Sequence, residues 1–266
     1  MTDLKAIRFE PRGPAGDGLA LWEEIPQSAL ITGKPVQHGH NYFTDPSGAL
    51  TAGVWDCTPM TTKLEPYSVN EFMLVLEGSV TIVDAKGHEE TIRAGEAFFI
   101  PKGLPCNWKQ SEYIRKFYVI FDDPSGMKPK NPDELRVIKF DRNGLAGKGM
   151  SKMAIPDTSI FEGAVPTQNV HNYFEDITGQ MTAGVWDCTP MKRKAMPFPR
   201  NELMCILEGS VTITDDKGRA QTFRAGDSFF VPQGLVNSWH STEYVRKFYC
   251  IFQPKVAAVK AADAAE

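Results

Sequence analysis

The chain of 266 residues has no run of 18 apolar residues, so no segment reads as a membrane-spanning helix. Its opening, MTDLKAIRFEPRGPAGDG, contains no apolar stretch of signal-peptide length. The formal charge is only -4, which gives no general attraction to nucleic acid or anionic lipid. The five cysteines, at positions 57, 106, 188, 205 and 250, form no CxxC pair and are odd in number, against both a disulfide framework and a zinc finger. Cys57 and Cys188 read instead as small buried apolar residues, with nothing nearby in sequence to activate the thiol. Long stretches of helical period are also missing. Together these absences lead to the expectation of a cytoplasmic protein whose partner is a small molecule.

What is present is a duplication. Shifted by 131 residues, the chain matches itself without a gap: HNYF at His40 returns at His171, TAGVWDCTPM at Thr51 returns at Thr182, and LEGSVTI at Leu76 returns at Leu207. Between His40 and Phe121 and their counterparts roughly three positions in five are identical, and the period is far too long for a solenoid. Two domains are expected, 1-131 and 132-266, the second ending in an Ala-rich tail (KVAAVKAADAAE) that reads as a short surface helix or a disordered segment. The segments Leu4, Ile7, Phe9 and Leu135, Ile138, Phe140 alternate in the manner of strands, and each is expected to add an edge strand to the neighbouring barrel at a pseudo-twofold interface.

Short β-branched and aromatic runs separated by Gly, Pro and Asp turns every 8 to 12 residues or so indicate an antiparallel sandwich or barrel. DAKG and DDKG are hairpin turns in which Gly87 and Gly218 supply positive φ. RAGEAFFIP and RAGDSFFVP each enter a strand after a Gly turn and leave it at a Pro, which cannot continue a ladder.

The pattern E(x)5EG followed by RAGE(x)4PKG resembles the two motif regions of the cupin superfamily. With both copies matching, the chain resembles a bicupin, and GVWDCTP, LEGSVTI and [IV]RKFY are similar to the EutQ-like "cupin 3" group. The resemblance implies an all-β fold of two tandem jelly-roll barrels. It also implies a divalent metal held by HxHx(3,4)E and a later His, and here the sequence departs from the pattern. The four places hold Glu65, Tyr67, Glu71 and Cys106 in the first copy, and Met196, Phe198, Glu202 and Asn237 in the second. Met and Phe cannot replace two imidazoles, so no metal is expected in the second barrel, while Glu65, Glu71 and Cys106 leave a mixed-donor site open in the first.

Glu71 and Glu202 are the repeated carboxylates. Inside a barrel each must be protonated, paired with a cation or set against a ligand. In Arg115-Lys116 and Arg246-Lys247 alternation sends one of each basic pair inward, and an inward Lys116 or Lys247 supplies the missing charge. Trp55 and Trp186, with Trp108 and Trp239, are candidates for a ligand cavity or for plain aromatic core, as are Tyr67 and Phe198; Asp56 and Asp187 fall on the face opposite the first Trp pair. His40 and His171 are expected to hydrogen-bond locally. Two functions follow. In one, an enzyme acts on a small amine or carboxylate metabolite with Glu71 and Glu202 as general acid or base and Lys116 or Lys247 orienting charge. In the other, a binding module or accessory protein without turnover holds an amine between the Glu and the Trp box; a homodimer is open on both. On either reading a Gln in place of the Glu is expected to leave folding intact.

Overall fold

The computed structural model describes residues 3–255 apart from 16, 128 and 130; the Ala-rich tail lies outside the described residues. Among the described residues regular structure is β except for two three-residue 3-10 turns, and every strand pair is antiparallel. Each copy makes two sheets. In the first copy a large sheet runs Ile138–Lys139, Ala97–Ile100, Asn70–Glu77, Ile114–Phe121, Leu50–Cys57, Gln37–Thr44, Ala20–Leu21 from edge to edge. A smaller one is built around Ser79–Asp84 and Pro105–Gln110. The second copy repeats this with Asn201–Glu208, Val245–Phe252 and Met181–Cys188 at the centre of its large sheet. Neighbours that are distant in sequence, such as Asn70–Glu77 beside Ile114–Phe121, give the jelly-roll crossing of two tandem cupin barrels.

The hairpin turns form as their residues require. Gly87 and Gly218 sit at φ 80 and 76, and the Asp that opens each turn caps it. Asp84 Oδ1 accepts the amides of Lys86 and His88 at 2.8 and 3.0 Å, and Asp215 Oδ1 those of Lys217 and Arg219 at 3.0 and 2.9 Å. In AGVW a side chain on Gly53 or Gly184 would overlap the carbonyl of His40 or His171 and the hydroxyl of Tyr118 or Tyr249, so only glycine lets these groups meet.

The two large sheets pack face to face across the middle of the molecule. Leu50, Ala52, Val54, Phe117 and Phe121 of one meet Met181, Ala183, Val185, Phe248 and Phe252 of the other in one continuous core. A second and a third core fill the two barrels. The central strands are therefore buried on both faces, and Ile114–Phe121 has no exposed residue.

The first strand of each copy crosses over, as its alternation suggested. Ile7–Phe9 pairs with Ser228–Val231 of the second barrel, and Ile138–Lys139 pairs with the Ala97–Ile100 strand of the first. Cut between 131 and 132, each half would leave its opening strand in the other barrel. Equivalent polar anchors hold both. Arg8 donates to Thr222 O at 2.6 Å and pairs with Asp227 at 2.8 Å, while Lys139 reaches Thr91 O at 3.3 Å and Glu96 at 2.9 Å. Phe9 is 3% exposed, stacked on Tyr42 and against Phe230, so one ring joins both copies. Phe9→Ala should cost about 3–5 kcal/mol through the cavity it opens. Denaturant unfolding should show this as a lowered midpoint; an unchanged midpoint would mean that the exchanged strand does not hold the copies together.

Candidate functional site

The site begins with the strand that closes each barrel. In Ile114–Phe121 the side chains of Phe117, Val119 and Phe121 enter the core between the sheets, which turns Lys116 and Tyr118 into the barrel. Alternation along the same strand turns Arg115 the other way, and it lies outside, on Glu77 at 3.1 Å and on the Tyr113 hydroxyl. Trp55 shares the barrel side, whereas Asp56 faces away and accepts from Tyr113 at 2.6 Å. The second copy does the same with Lys247 inside and Arg246 outside.

Each inward lysine ends in a prepared cage. Lys116 Nζ donates to Glu71 Oε1 at 2.7 Å, lies 3.0 Å from Met73 Sδ, and sits 4.9 Å from the ring centres of both Trp55 and Trp108. Lys247 repeats this with Glu202 at 2.7 Å, Met204 Sδ at 3.1 Å, and Trp186 and Trp239 at 4.8 and 5.3 Å. Both lysines are 6% exposed. Burial draws the Lys247 pKa below its ordinary range while Glu202 pulls it back, and with a carboxylate and two indole faces in contact we take the ammonium as the resident form. The Trp box and the carboxylate, which the sequence offered to an amine ligand, thus surround the protein's own lysine.

The copies differ at the other carboxylate oxygen. Glu71 Oε2 accepts from the Tyr67 phenol, whose pKa burial and the adjacent Glu71 push well above 10. In the second copy Phe198 stands where Tyr67 does and has no hydroxyl; Arg200, in place of Val69, donates Nε to Glu202 Oε2 at 3.0 Å. Burial opposes the charge on Glu202, but Lys247 and Arg200 outweigh it and hold its pKa below the usual carboxylate range. A second arginine, Arg193, replaces Thr62. Its Nη2 donates to Asn237 Oδ1 at 2.6 Å and Asn237 O at 3.1 Å, and it has no carboxylate partner among the described residues. Both guanidinium groups lie over the Phe198 ring, that of Arg193 at 6.0 Å and that of Arg200 at 5.9 Å from its centre.

These differences shape two unequal cavities. The second-barrel cavity measures about 470 Å³ and is lined by Arg193, Arg200, Glu202 and Lys247 together with Trp186, Trp239 and Phe198. Once Lys247 and Glu202 cancel, two positive charges remain. The first-barrel cavity is about 280 Å³ and is lined by Trp55, Trp108, Tyr67, Glu65, Cys106 and Lys116, with Glu71 held behind Tyr67 and Lys116. All ten candidate residues therefore belong to two clusters around these cavities. Arg193 and Arg200 escaped the sequence reading, which weighted positions identical in both copies. The signal was the divergent stretch MKRKAMPFPRNE against MTTKLEPYSVNE, where Lys192, Arg193 and Arg200 replace the uncharged Thr61, Thr62 and Val69.

The metal implied by the cupin resemblance does not fit these residues. In the first barrel an ammonium sits 2.7 Å from Glu71, Tyr67 keeps its proton, and burial pushes the Cys106 thiol up to about 11. The second barrel offers Met196 and Phe198 at two of four positions, and Asn237 spends its side chain on Arg193 and the Leu235 carbonyl. No cluster of three or more His, Cys, Asp or Glu donors occurs among the described residues. The expected role of His40 and His171 needs correction: they lie edge-on to Tyr42 and Tyr173 at 4.7 and 4.5 Å, with no hydrogen bond of either ring among the described residues. Cys57 and Cys188 are fully buried, with burial pushing each thiol to about 12.

The pairing also changes what Glu→Gln should do. Glu202→Gln leaves Lys247 and Arg200 without their counter-charge, and breaking a buried pair from one side costs about 3–5 kcal/mol. Since the folded pKa of Glu202 lies below its unfolded value of about 4.3, this contribution is present above that pH and fades as pH falls through the folded pKa. Denaturant unfolding at neutral pH should therefore separate Glu202→Gln from the parent, and the gap should narrow in acid. Equal stability at neutral pH would show that the pair contributes nothing.

No curated protein is detectably similar in sequence to this chain. Among solved structures, a protein of unknown function from Pseudomonas syringae pv. tomato is 26% identical over 94% of this chain and 100% of its own, with a TM-score of 0.76. A putative glyoxylate-induced protein from Pseudomonas aeruginosa shares the fold at 12% identity, covering 96% of this chain and 100% of its own, with a TM-score of 0.56. Ylba from E. coli does so at 11%, covering 97% of each chain, with a TM-score of 0.52. The EutQ-like cupin domain matches twice, at residues 44–118 and 176–249. With the sequence motifs repeated in both copies and two jelly-roll barrels built from them, the chain belongs to the EutQ-like cupin family.

Proposed function

We propose that this bicupin binds a small carboxylate metabolite in its second barrel, in the cytoplasm, and does so without the usual cupin metal. The observation that carries the reading is Arg193, a partly buried guanidinium on the cavity wall that feels the charge of Glu202 but makes no ion pair among the described residues, beside an Arg200 whose remaining nitrogens make no hydrogen bond among them. An unbalanced cation in a cleft is stabilised by an anion, and the planar fork of arginine matches a carboxylate in two-point contact. Of the two ligand charges read from the sequence, the carboxylate is favoured over the amine, because Lys247 already fills the cation cage.

The same geometry favours binding over turnover. A general base must release and regain a proton near the working pH, whereas Glu202 is fixed between Lys247 and Arg200 with its pKa held down. The first barrel, whose Lys116, Glu71 and Tyr67 satisfy one another, supports the second through the shared core.

Calorimetry with matched carboxylates, amines and alcohols should show binding by the carboxylates, weakened about tenfold or more in Arg193→Gln, the scale of a lost charge-assisted hydrogen bond. Amines binding as well as carboxylates, with Arg193→Gln neutral, would overturn the reading. Mass spectrometry should recover the ligand unchanged; conversion would return the site to the enzyme class. Elemental analysis of tag-free protein should find well under one equivalent of transition metal per barrel. One equivalent lost in Glu65→Ala or Cys106→Ala would support the mixed-donor site of the first copy instead.

A further inference from the structure

Resting on that anion-binding reading, we infer that the second barrel selects monocarboxylates carrying an apolar body, aromatic or aliphatic, and rejects compact polar dianions. The argument comes from how the second copy departs from the first around the cavity. Glu65 becomes Met196, Ala29 becomes Ile160, Leu30 becomes Phe161 and Gly39 becomes Val170, and all four second-copy residues line the cavity. Each change adds apolar bulk or removes charge, in the same wall that gains two arginines. Yet the second cavity is the larger one, about 470 against 280 Å³. A visible reason is Trp22, whose indole covers Gly39 and meets Tyr118 edge-on at 6.2 Å in the first copy. Its counterpart is Met153, slimmer and flexible, and Val170 takes the place of the glycine.

The outcome is a cavity with two chemistries. Arg193 and Arg200 both reach over Phe198, while Met191, Met196, Met204 and Phe161 supply walls that donate no hydrogen bond. A single carboxylate at Arg193 leaves the rest of its carrier against those walls, where apolar surface is favourable and a second charge, held away from the arginines, would be stripped of water without a partner. Thioether side chains adapt to the shape of what they touch, so the walls select for apolarity more than for one outline. Such pockets bind through burial of an apolar body and orient it by a few polar groups.

The test titrates the intact protein by calorimetry with 3-phenylpropionate, hexanoate, malonate and 3-phenylpropan-1-ol. One of the two apolar monocarboxylates should bind about tenfold or more tightly than malonate, as expected from burying several additional methylene-sized groups. Met196→Ser, at a partly exposed position, should weaken that monocarboxylate severalfold and leave malonate unchanged. Arg193→Gln and Arg193→Lys should both weaken the monocarboxylate, with melting curves recorded to establish that each is folded. If malonate binds as tightly as the apolar acids and loses affinity in Arg193→Gln, the selectivity inference is overturned while anion binding stands. If the alcohol equals the acid and Arg193→Gln has no effect, anion binding fails and the inference with it. Absence of binding by both apolar acids at millimolar concentration also overturns the inference.

Discussion

Two buried ion pairs, Lys116 with Glu71 and Lys247 with Glu202, set the terms for both barrels. Taking two such charges out of water costs several kcal/mol per ion, and the cost is offset only where geometry and additional contacts are good. Here each ammonium has a carboxylate at 2.7 Å, a methionine sulfur near 3 Å and two indole faces, and each carboxylate has a second donor. The Trp N–H groups are themselves engaged, Trp55 with Gln37 at 2.8 Å and Trp108 with Gln110 at 2.5 Å, so the cage walls are fixed before any ligand arrives. The pair joins the strand closing the barrel to its neighbour, and a one-residue slip would place the lysine in the apolar core between the sheets. Register, cage and cavity floor are consequences of the same contact.

Around this constant element the copies have diverged. The first solves the second carboxylate oxygen with a neutral phenol; the second uses a guanidinium, and the loss of the Tyr hydroxyl at Phe198 accompanies the gain of Arg200. Once the ion pair is complete, Arg193 is surplus to it, which is why the surplus is informative about a ligand. Elsewhere on the barrel ends the copies retain the same outward network, with Tyr113 on Asp56 and Tyr244 on Asp187, and there Asn169 takes the place that His38 has in the first copy.

Strand exchange makes the two barrels one body. Because Ile7–Phe9 completes the second barrel and Ile138–Lys139 the first, neither copy keeps its full sheet alone, and the large sheets bury apolar faces against each other. The shared core leaves the first barrel with a reason to persist that is independent of its own cavity.

The sequence by itself determined the duplication, the all-β class and the hairpin glycines, and its alternation pointed to the crossing of the opening strands. Each rests on a local or periodic signal: a fixed shift, a turn requiring positive φ, an alternation with one polar face. It left open whether Arg115 or Lys116 points inward, because Ile114–Phe121 is buried on both faces and such a strand loses the polar alternation that reveals orientation. Only the tertiary structure decided that the Trp box holds a lysine of the protein, since Trp55 and Lys116 come from paired strands of the large sheet and Trp108 from the smaller sheet, so the three meet only where the two sheets enclose the barrel. It also gave meaning to Arg193 and Arg200. In sequence they are two of many surface-like charges in a divergent stretch, and only the position of Glu202 and Lys247 shows that one arginine is paired and the other is left facing a cavity.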